Sequence, residues 1–294
     1  MATETVQQLL SPEFLAQLER LTLASRRVFR GRVKGERRSP RKGHSVEFFD
    51  YRQYGVGDDL RYVDWNIAGR LDRLHVKLFL DEEDLCLHLL VDASASMGFG
   101  DKLRYTARLA AALGFVWLVN LERVGVGIVR DRMTEGWPPT RGRNQFLSLA
   151  HYLSGVRAGG ATGLNEALGT YASRAREAGV AVVISDLMDP GGFEVGLRAL
   201  LERRFDVHVV QVLAPEEENP AFAGDLQLVD SETGDVREIT LDGEALRAYR
   251  HRLHAFFERV EGFCRAHEVA YRRVVTSTAL EDFMLTELKG LVLG

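Results

Sequence analysis

Five oxygen-bearing side chains stand where apolar runs of this sequence end. Asp92, Ser94 and Ser96 place one carboxylate and two hydroxyls on a single tight turn. Thr162 follows in a glycine-rich connection, and Asp186 ends a second apolar run. Hard cations such as Mg²⁺ prefer oxygen ligands, require octahedral geometry and keep waters where the protein completes only part of the shell. These five residues are therefore the candidate ligands of one Mg²⁺, with Mn²⁺ as the alternative ion.

Strand-like and helix-like patterns alternate through the part of the chain that must position these residues. Apolar β-branched runs predict strands, and amphipathic periodicity between them predicts helices. This alternation is typical of βαβ units and predicts a Rossmann-like α/β fold with a mainly parallel sheet flanked by helices. The predicted strands are Leu85–Asp92, Val124–Arg130, Val180–Asp186, Asp206–Leu213 and Val269–Val275. The predicted helices are Lys102–Asn120, Asn144–Gly155, Leu164–Ala178, Phe193–Arg203, Gly243–His267 and Leu280–Leu291.

The five candidate ligands all map to connections at one rim of that sheet. In an open α/β sheet, ligands bind outside the carboxyl ends of the strands, near the point where the strand order reverses. We therefore expect residues 83–294 to form an α/β domain with the site at this rim. A β-hairpin at about 225–241, around the turn that ends at Gly234, is the one interruption of the alternation.

Residues 1–82 are predicted to precede that domain as a helix, a basic arm and a small β-rich segment. The helix runs from Pro12 to about Ala24, and we expect it to pack on the body of the protein. The β-rich segment contains predicted strands at Val46–Tyr54, Tyr62–Ala68 and Leu74–Leu80. Its cluster of Asp58, Asp59, Asp64 and Arg61 is interpreted as structural pairing in preference to a second cation site.

The charge distribution argues against a nucleic-acid partner. The chain of 294 residues has a formal net charge of -4, so the molecule as a whole does not attract phosphates. Residues 26–42 form a local exception, with nine basic residues against the single acid Glu36. Phe29 is the only aromatic residue in this arm, which leaves no stacking platform for bases. An acidic protein surface, or peripheral contact with a membrane, suits the arm better.

The same composition predicts a cytoplasmic location. Cys86 and Cys264 form no CxxC pair and stand in apolar surroundings, which suits a reducing compartment. The N-terminus has acidic residues where a signal peptide would need a basic start and an apolar run. The longest apolar stretch, Leu109–Val119, is much shorter than the roughly 20 residues of a transmembrane helix.

The spacing of the five residues resembles the von Willebrand factor A superfamily. Its metal-ion-dependent adhesion site has the pattern Asp-x-Ser-x-Ser, then a distant Thr, then a distant Asp. The resemblance implies that Ser94 and Ser96 bind the metal directly and Thr162 directly or through water. It also implies that Asp92 and Asp186 act mostly through waters, and that an Asp or Glu of a partner protein completes the shell.

A closer resemblance covers nearly the whole chain after residue 30, and it is to domain-of-unknown-function family 58, DUF58. It is carried by Arg41-Lys-Gly-His44, Glu47-Phe-Phe-Asp-Tyr-Arg52, Tyr54-Gly-Val-Gly-Asp-Asp59, Arg61, Asp64-Trp65, Val76-Lys77 and the Asp-x-Ser-x-Ser turn. The resemblance implies a von Willebrand A-type fold. It also implies a MoxR-type AAA+ ATPase as partner, in chaperone-like maturation of other proteins or metal insertion.

Two other functions compete with this Mg²⁺-dependent, non-enzymatic interaction module. A Ser-rich turn can simply cap a helix, which would make the chain a metal-independent scaffold. A hydrolase would use Asp92 as a phosphoryl-accepting nucleophile or Ser94 as an acyl-accepting one. Ser94 replaces the second acid of the phosphatase Asp-x-Asp motif, and the Gly-x-Ser-x-Gly elbow is absent from the sequence. The chain is therefore predicted not to be an enzyme.

Overall fold

The computed structural model describes residues 11–21, 48–71, 73–79, 85–120, 122–220, 224–230 and 234–293. These residues fall into two compact units. The larger unit holds a helix at residues 12–21 and the described residues from 85 onward. The smaller unit holds the described residues from 48 to 79. The predicted basic arm, residues 26–42, lies outside the described residues.

Strands and helices are numbered here in chain order. The strands are β1 (Phe48–Gln53), β2 (His75–Phe79), β3 (Cys86–Asp92), β4 (Arg123–Val129), β5 (Thr134–Arg141), β6 (Val180–Ser185), β7 (Asp206–Leu213), β8 (Gly224–Val229), β9 (Val236–Leu241) and β10 (Ala270–Val275). The helices are α1 (residues 12–21), α2 (Trp65–Leu71), α3 (Lys102–Val119), α4 (Phe146–Gly155), α5 (Leu164–Arg174), α6 (Glu194–Glu202), α7 (Pro215–Glu218), α8 (Gly243–Ala266) and α9 (Leu280–Leu293).

The central sheet of the larger unit has the strand order β10-β7-β6-β3-β4-β5. All neighbouring strands are parallel except β5, which runs antiparallel to β4 at the edge. The predicted fold class, a mainly parallel α/β sheet, is confirmed. From β3 the chain moves outward to β4, and it later returns to place β6 on the opposite side of β3. The strand order therefore reverses between β3 and β6, where α/β sheets open a ligand crevice.

Alternating side chains of the buried strands supply two separate cores. Leu89 of β3 packs with α1, α3, α4 and α9 on one face, whereas Leu90 packs with α5, α6 and α8 on the other. Successive residues of a strand point to opposite faces, so strands covered on both sides need continuous apolar runs. This requirement explains why β3, β6 and β7 are uniformly apolar apart from a few buried polar residues.

Strand β5 was not predicted, and the reason is visible in its sequence. It contains Pro138 and Pro139, which cannot donate to a ladder and normally argue against a strand. The strand lies at the sheet edge, where an absent N–H costs no ladder bond on the open side. Trp137 packs against the core from this strand.

Helix α1 belongs to the core of the larger unit. Its residues Phe14, Leu18 and Leu21 are buried in the same cluster as α3 and α4. The helix therefore packs on the α/β body as expected, although the predicted division at residue 82 groups it with the β-rich segment.

The smaller unit contains the antiparallel pair β1–β2 and the helix α2. The predicted strand Tyr62–Ala68 is wrong, because residues from Trp65 onward are helical. Asp64 precedes the helix, and its Oδ1 accepts the N–H groups of Asn66 at 3.0 Å and Ile67 at 3.2 Å. This N-cap stabilises the start of helix α2. A strand prediction based on the alternation of apolar residues does not take such a cap into account.

Three acidic residues of the cluster at residues 58–64 are held by basic partners. Asp58 pairs with Arg52 at 2.9 Å, Asp59 pairs with Arg61 at 2.7 Å, and Lys77 contacts Asp64 at 3.1 Å. Structural pairing thus accounts for the cluster that the sequence also allowed as a cation site.

The predicted hairpin is confirmed as β8–β9, with Val229 opposite Val236 at its end. It forms a two-stranded sheet separate from the six-stranded one. Across the described residues, none of the helices is both long enough and apolar enough to cross a membrane.

Candidate metal centre

The first part of the site is the turn after β3. Asp92 ends the strand with its carboxylate fully buried. Its Oδ1 accepts the N–H of Ser94 at 2.9 Å, and its Oδ2 accepts the hydroxyl of Ser185 at 2.6 Å. A short 3₁₀ helix, Ala95–Gly98, follows and is anchored by the buried side chain of Met97. The carboxylate is therefore fixed by both β3 and β6.

The second part of the site is the sharp turn after β6. Asp186 Oδ2 accepts the Ser96 hydroxyl at 2.8 Å, and its Oδ1 accepts the N–H of Met188 at 2.9 Å. Leu187 adopts a left-handed backbone with φ of 61°, which costs a bulky residue about 1–2 kcal/mol. Its side chain is fully buried in the core, which explains why this position is not glycine.

Four of the five predicted residues are thus joined by hydrogen bonds. Ser94 Oγ and Ser96 Oγ lie 3.1 Å apart and complete a chain from Asp92 to Asp186. Because Ser96 donates its only hydroxyl hydrogen to Asp186, it accepts the hydroxyl hydrogen of Ser94, and its second lone pair remains available for a ligand. A seryl oxygen held in this way can bind a cation while a carboxylate polarises it from behind.

The loop that carries Thr162 lies against the first turn. Gly159 N–H donates to Ala93 O at 3.0 Å, and Ala95 N–H donates to Gly160 O at 2.9 Å. Gly163 must lack a side chain, because a Cβ there would lie 2.3 Å from the carbonyl oxygen of Asp131. The structure places half-buried Thr162 within this tethered loop, beside the Asp92–Ser96 turn.

Lys102 is the residue that sequence reasoning missed. It was predicted only as a helix start, yet its side chain is fully buried. Its Nζ donates to Asp186 Oδ2 at 2.8 Å and to Glu217 Oε1 at 2.5 Å. Glu217 lies on the single-turn helix α7, and its Oε2 accepts the N–H of Ala214 at 2.8 Å. No local pattern reveals the ammonium, since its partners are 84 and 115 residues away.

The ionisable groups of the site influence one another through burial and charge. Burial, reinforced by the charge of Asp186, raises the pKa of the Asp92 carboxyl above its usual range. Burial lowers the pKa of Lys102, but Asp186 and Glu217 outweigh that effect and the net shift is upward. Lys102 is therefore charged at neutral pH.

The charge and donor types of the site fit a divalent cation. Three carboxylates, Asp92, Asp186 and Glu217, and one ammonium, Lys102, leave a formal charge of −2 in the hydrogen-bonded cluster. One divalent ion would neutralise it. The remaining donors are hydroxyl oxygens, which suit Mg²⁺ or Mn²⁺ and not the softer metals that take thiolates.

Comparisons with known proteins place the chain among bacterial relatives. Uncharacterized proteins of Mycobacterium tuberculosis and Mycobacterium bovis are each 29% identical over 238 residues, covering 79% of this chain and 75% of theirs. BatB from Bacteroides thetaiotaomicron, a conserved hypothetical protein of known structure, has a TM-score of 0.44 and 17% identity. That likeness covers 71% of this chain and 100% of BatB.

A von Willebrand factor type A protein from Catenulispora acidiphila has a TM-score of 0.42 and 11% identity, over 73% of this chain and 43% of its own. The family described as "Protein of unknown function DUF58" matches residues 50–256, which is more than half of the chain. The family resemblance predicted from the sequence motifs is confirmed, and the chain belongs to the DUF58 family.

Proposed function

We propose that this protein is a non-enzymatic interaction module that binds Mg²⁺, or Mn²⁺, at the rim of its sheet. The metal would hold an acidic residue of a protein partner. Asp92, Ser94, Ser96, Thr162 and Asp186 are the proposed ligands. The observation that carries the proposal is the bond from Ser96 to Asp186, which joins two buried carboxylates and two hydroxyls at the point where the strand order reverses.

The hydrogen bonds within the site support this proposed role of its two aspartates. Asp92 and Asp186 are held in place by backbone N–H donors and by Ser185, and Asp186 also accepts Ser96 and Lys102. A bound divalent ion with neutral hydroxyl ligands supplies an electrophilic position for an incoming carboxylate. The exposed 3₁₀ turn at Gly98 and Phe99 borders this position and offers contact area to a partner.

The partner that we propose is a MoxR-type AAA+ ATPase or its client, and the proposed location is the cytoplasm. Family membership supports this partner, because the DUF58 resemblance implies such pairing. A tagged preparation analysed by mass spectrometry of co-eluting chains tests it directly. Recovery of an AAA+ ATPase in Mg²⁺ but not in EDTA is the expected result.

Isothermal titration calorimetry tests the metal site itself. We expect one Mg²⁺ per chain in the wild-type protein and loss of that binding in Ser96→Ala. Ser173→Ala is the matched control, since Ser173 is an exposed serine on α5 whose hydroxyl donates to the carbonyl of Thr170 in the same helix. A metal at about a hundred times its Kd should add roughly 2.7 kcal/mol to the free energy of unfolding. Unchanged binding in Ser96→Ala would place the ion elsewhere.

A pull-down distinguishes metal bridging from simple docking. Chelation with EDTA, Ser96→Ala, and replacement of the contacting acid on the partner by Ala should each abolish capture. Circular dichroism verifies that the fold survives each change. Full-strength capture in EDTA by a folded protein would contradict the bridging mechanism.

A metal-independent scaffold is the second candidate, and Lys102 favours it. The ammonium already compensates Asp186 and Glu217, so the rim satisfies most of its polar groups within the chain. Calorimetry that detects no Mg²⁺ binding, together with capture in EDTA, would select this alternative.

A hydrolase is less well supported by the site. Within the described part of the chain, no histidine is hydrogen-bonded to Ser94 or Ser96 as a base, and the two buried histidines, His88 and His208, contact Tyr171 and Asp206 instead. Assays with generic phosphate and ester substrates test this third function, and we expect no turnover.

A further inference from the structure

A small cavity in the larger unit lies between the first turns of α3 and the connection from β10 to α9. Its volume is about 190 Å³, and its lining includes Arg104, Tyr105, Arg108, Thr276, Ser277 and Thr278. Pockets for drug-sized ligands usually occupy about 300–1,000 Å³, so this one suits a smaller species. Strand β10 is parallel to β7, so its carboxyl end opens on the same rim as the metal centre.

The lining consists largely of hydrogen-bond donors from two elements. Helix α3 contributes the guanidinium groups of Arg104 and Arg108, and the β10–α9 connection contributes three hydroxyls. Helix α9 begins there directly after Ala279, whose methyl group cannot cap the first N–H groups of the helix. Guanidinium groups, hydroxyls and free N–H groups at a helix start are the donors that proteins use for oxyanions.

Two buried donors of this lining have no acceptor. Tyr105 is only 7% exposed, and its hydroxyl has no hydrogen-bond partner among the described residues. Within the same described part of the chain, the buried Nε of Arg108 is unpartnered, and this guanidinium forms no ion pair. Its Cζ lies 5.1 Å from the ring centroid of Phe14, so the positive charge is held against an aromatic face. A ligand with several acceptor oxygens would satisfy both donors.

Three acids lie in or beside the cavity: Asp101 in its lining, and Glu281 and Asp282 in the first turn of α9. Asp101 lines the cavity and contacts Arg104 at 3.0 Å through one guanidinium nitrogen. Glu281, in the first turn of α9, is held by Arg20 through two contacts of 2.5 and 2.7 Å. Burial, together with the like charge of Arg104, lowers the pKa of Arg108.

We infer that this cavity is a second ligand site, which binds a small tetrahedral oxyanion of the phosphate class. Donors from α3 and from the β10–α9 connection approach the space from two sides, which suits the oxygens of a tetrahedral oxyanion better than the two oxygens of a carboxylate, whose lone pairs lie in one plane. The chemistry is that of inorganic phosphate or the phosphate group of a small phosphomonoester. The site does not require the proposed metal, because none of its lining residues is a proposed metal ligand.

Calorimetry with inorganic phosphate on the full chain, in EDTA, tests the inference. We expect one phosphate per chain in the wild-type protein. Removing one charged donor in Arg104→Gln or Arg108→Gln should weaken binding at least about tenfold, and Tyr105→Phe about fivefold. Arg174→Gln is the matched control, since it removes an exposed arginine from α5, on the opposite face of the sheet, and should leave binding unchanged.

Two further variants make the outcome decisive. Asp101→Asn removes the competing acid and should strengthen phosphate binding, an effect that loss of structure cannot imitate. Ser96→Ala should bind phosphate as the wild type does, so failure of the metal proposal and failure of this one are distinguishable. Arg104 is exposed, so its variant remains informative if Arg108→Gln unfolds.

Three results would overturn the assignment of this cavity to a tetrahedral oxyanion. No phosphate binding by the folded wild type, or equal binding by wild type, Arg104→Gln and Tyr105→Phe, would exclude an oxyanion site in this cavity. Sulfate should compete with phosphate, and acetate should not. Competition by acetate at the same concentration as sulfate would show that the cavity selects carboxylates, and it would refute the assignment to a tetrahedral ligand.

Discussion

At the scale of single residues, the buried ammonium of Lys102 is the feature that sets the charge of the rim. A lysine removed from water is costly unless its charge is compensated and its hydrogens are bonded. Here Asp186 and Glu217 provide both, at 2.8 and 2.5 Å. The same ammonium reduces the negative charge that a metal ion would meet. Lys102 therefore organises the two acids and would limit the affinity of the proposed metal site for a cation.

Lys102→Met should lower the free energy of unfolding in EDTA by about 3–5 kcal/mol, because it leaves the buried Asp186 and the half-buried Glu217 without a counter-charge. Urea denaturation measures this change. Arg104→Met is the control, since it breaks an exposed pair with Asp101 on the same helix and should cost no more than about 1 kcal/mol. Equal losses in the two variants would mean that burial of the Lys102 pair is unimportant.

At the scale of elements, strand β5 depends on one close approach of two backbones. A Cβ built on Gly136 would lie 1.9 Å from the carbonyl oxygen of Val126, on the neighbouring strand β4. The pairing of β4 and β5 is irregular on both sides of Val126. Glycine is thus needed here for space, where the backbones of the two strands nearly touch.

Gly136→Ala should separate β5 from β4 and lower the free energy of unfolding by about 1–3 kcal/mol, as overpacking does. Amide hydrogen exchange along β4 and β5 should accelerate. Gly169→Ala should have the opposite effect on stability, because no neighbouring described atom lies within 4 Å of a Cβ at this position in α5. It should stabilise the protein by about 0.5–1 kcal/mol through helix propensity.

Helix α2 of the smaller unit depends on the ionised form of Asp64. The hydrogen bond with Lys77 outweighs burial, and bonds from Tyr51, Ile67 and Asn66 add to it, lowering the pKa of Asp64 to about 2. A carboxyl whose pKa is depressed by folding contributes stability above its unfolded pKa, near 4, and loses it as the pH falls toward 2.

Amide exchange of Asn66 and Ile67 should therefore accelerate between pH 4 and pH 2 in the wild-type protein, after correction for the intrinsic pH dependence. Asp64→Asn keeps an N-cap acceptor but cannot titrate, so its corrected exchange should not change in this window. Parallel behaviour of the two proteins would assign the transition to another acid.

At the scale of the whole molecule, helix α1 shows that the larger unit is built from segments far apart in the chain. Leu18 is fully buried in one cluster with residues of α3, α4 and α9. Arg20 of the same helix reaches Glu281 at the other end of the sequence. Helix α1 is therefore a structural part of the α/β unit.

Leu18→Ala should lower the free energy of unfolding by about 2–5 kcal/mol, the range for large-to-small changes in a core. Leu15→Ala on the same helix should cost less than about 1 kcal/mol, because Leu15 is 37% exposed. Denaturation that reports a single transition in both variants would agree with one cooperative core. A negligible effect of Leu18→Ala would mean that α1 docks without contributing to stability.

Features that depend on local pattern were predictable from the amino-acid sequence. Apolar runs specify β3, β6 and β7 because a strand covered on both faces must be apolar throughout. The Asp-x-Ser-x-Ser turn and Asp186 could be placed at one rim because parallel strands all end at the same edge. The family was predictable for the same reason, since its motifs are short and contiguous.

Features that depend on partners distant in the chain became visible in the folded protein alone. Lys102 reads as an ordinary first residue of a helix, and its role appears only where folding brings Asp186 and Glu217 to its Nζ. Strand β5 exists because β4 offers an open edge, which outweighs the unfavourable prolines within it. The oxyanion cavity likewise joins residues about 170 positions apart, such as Arg104 and Thr276. Such contacts leave no periodicity in the chain, because their energy comes from burial and charge in the folded state.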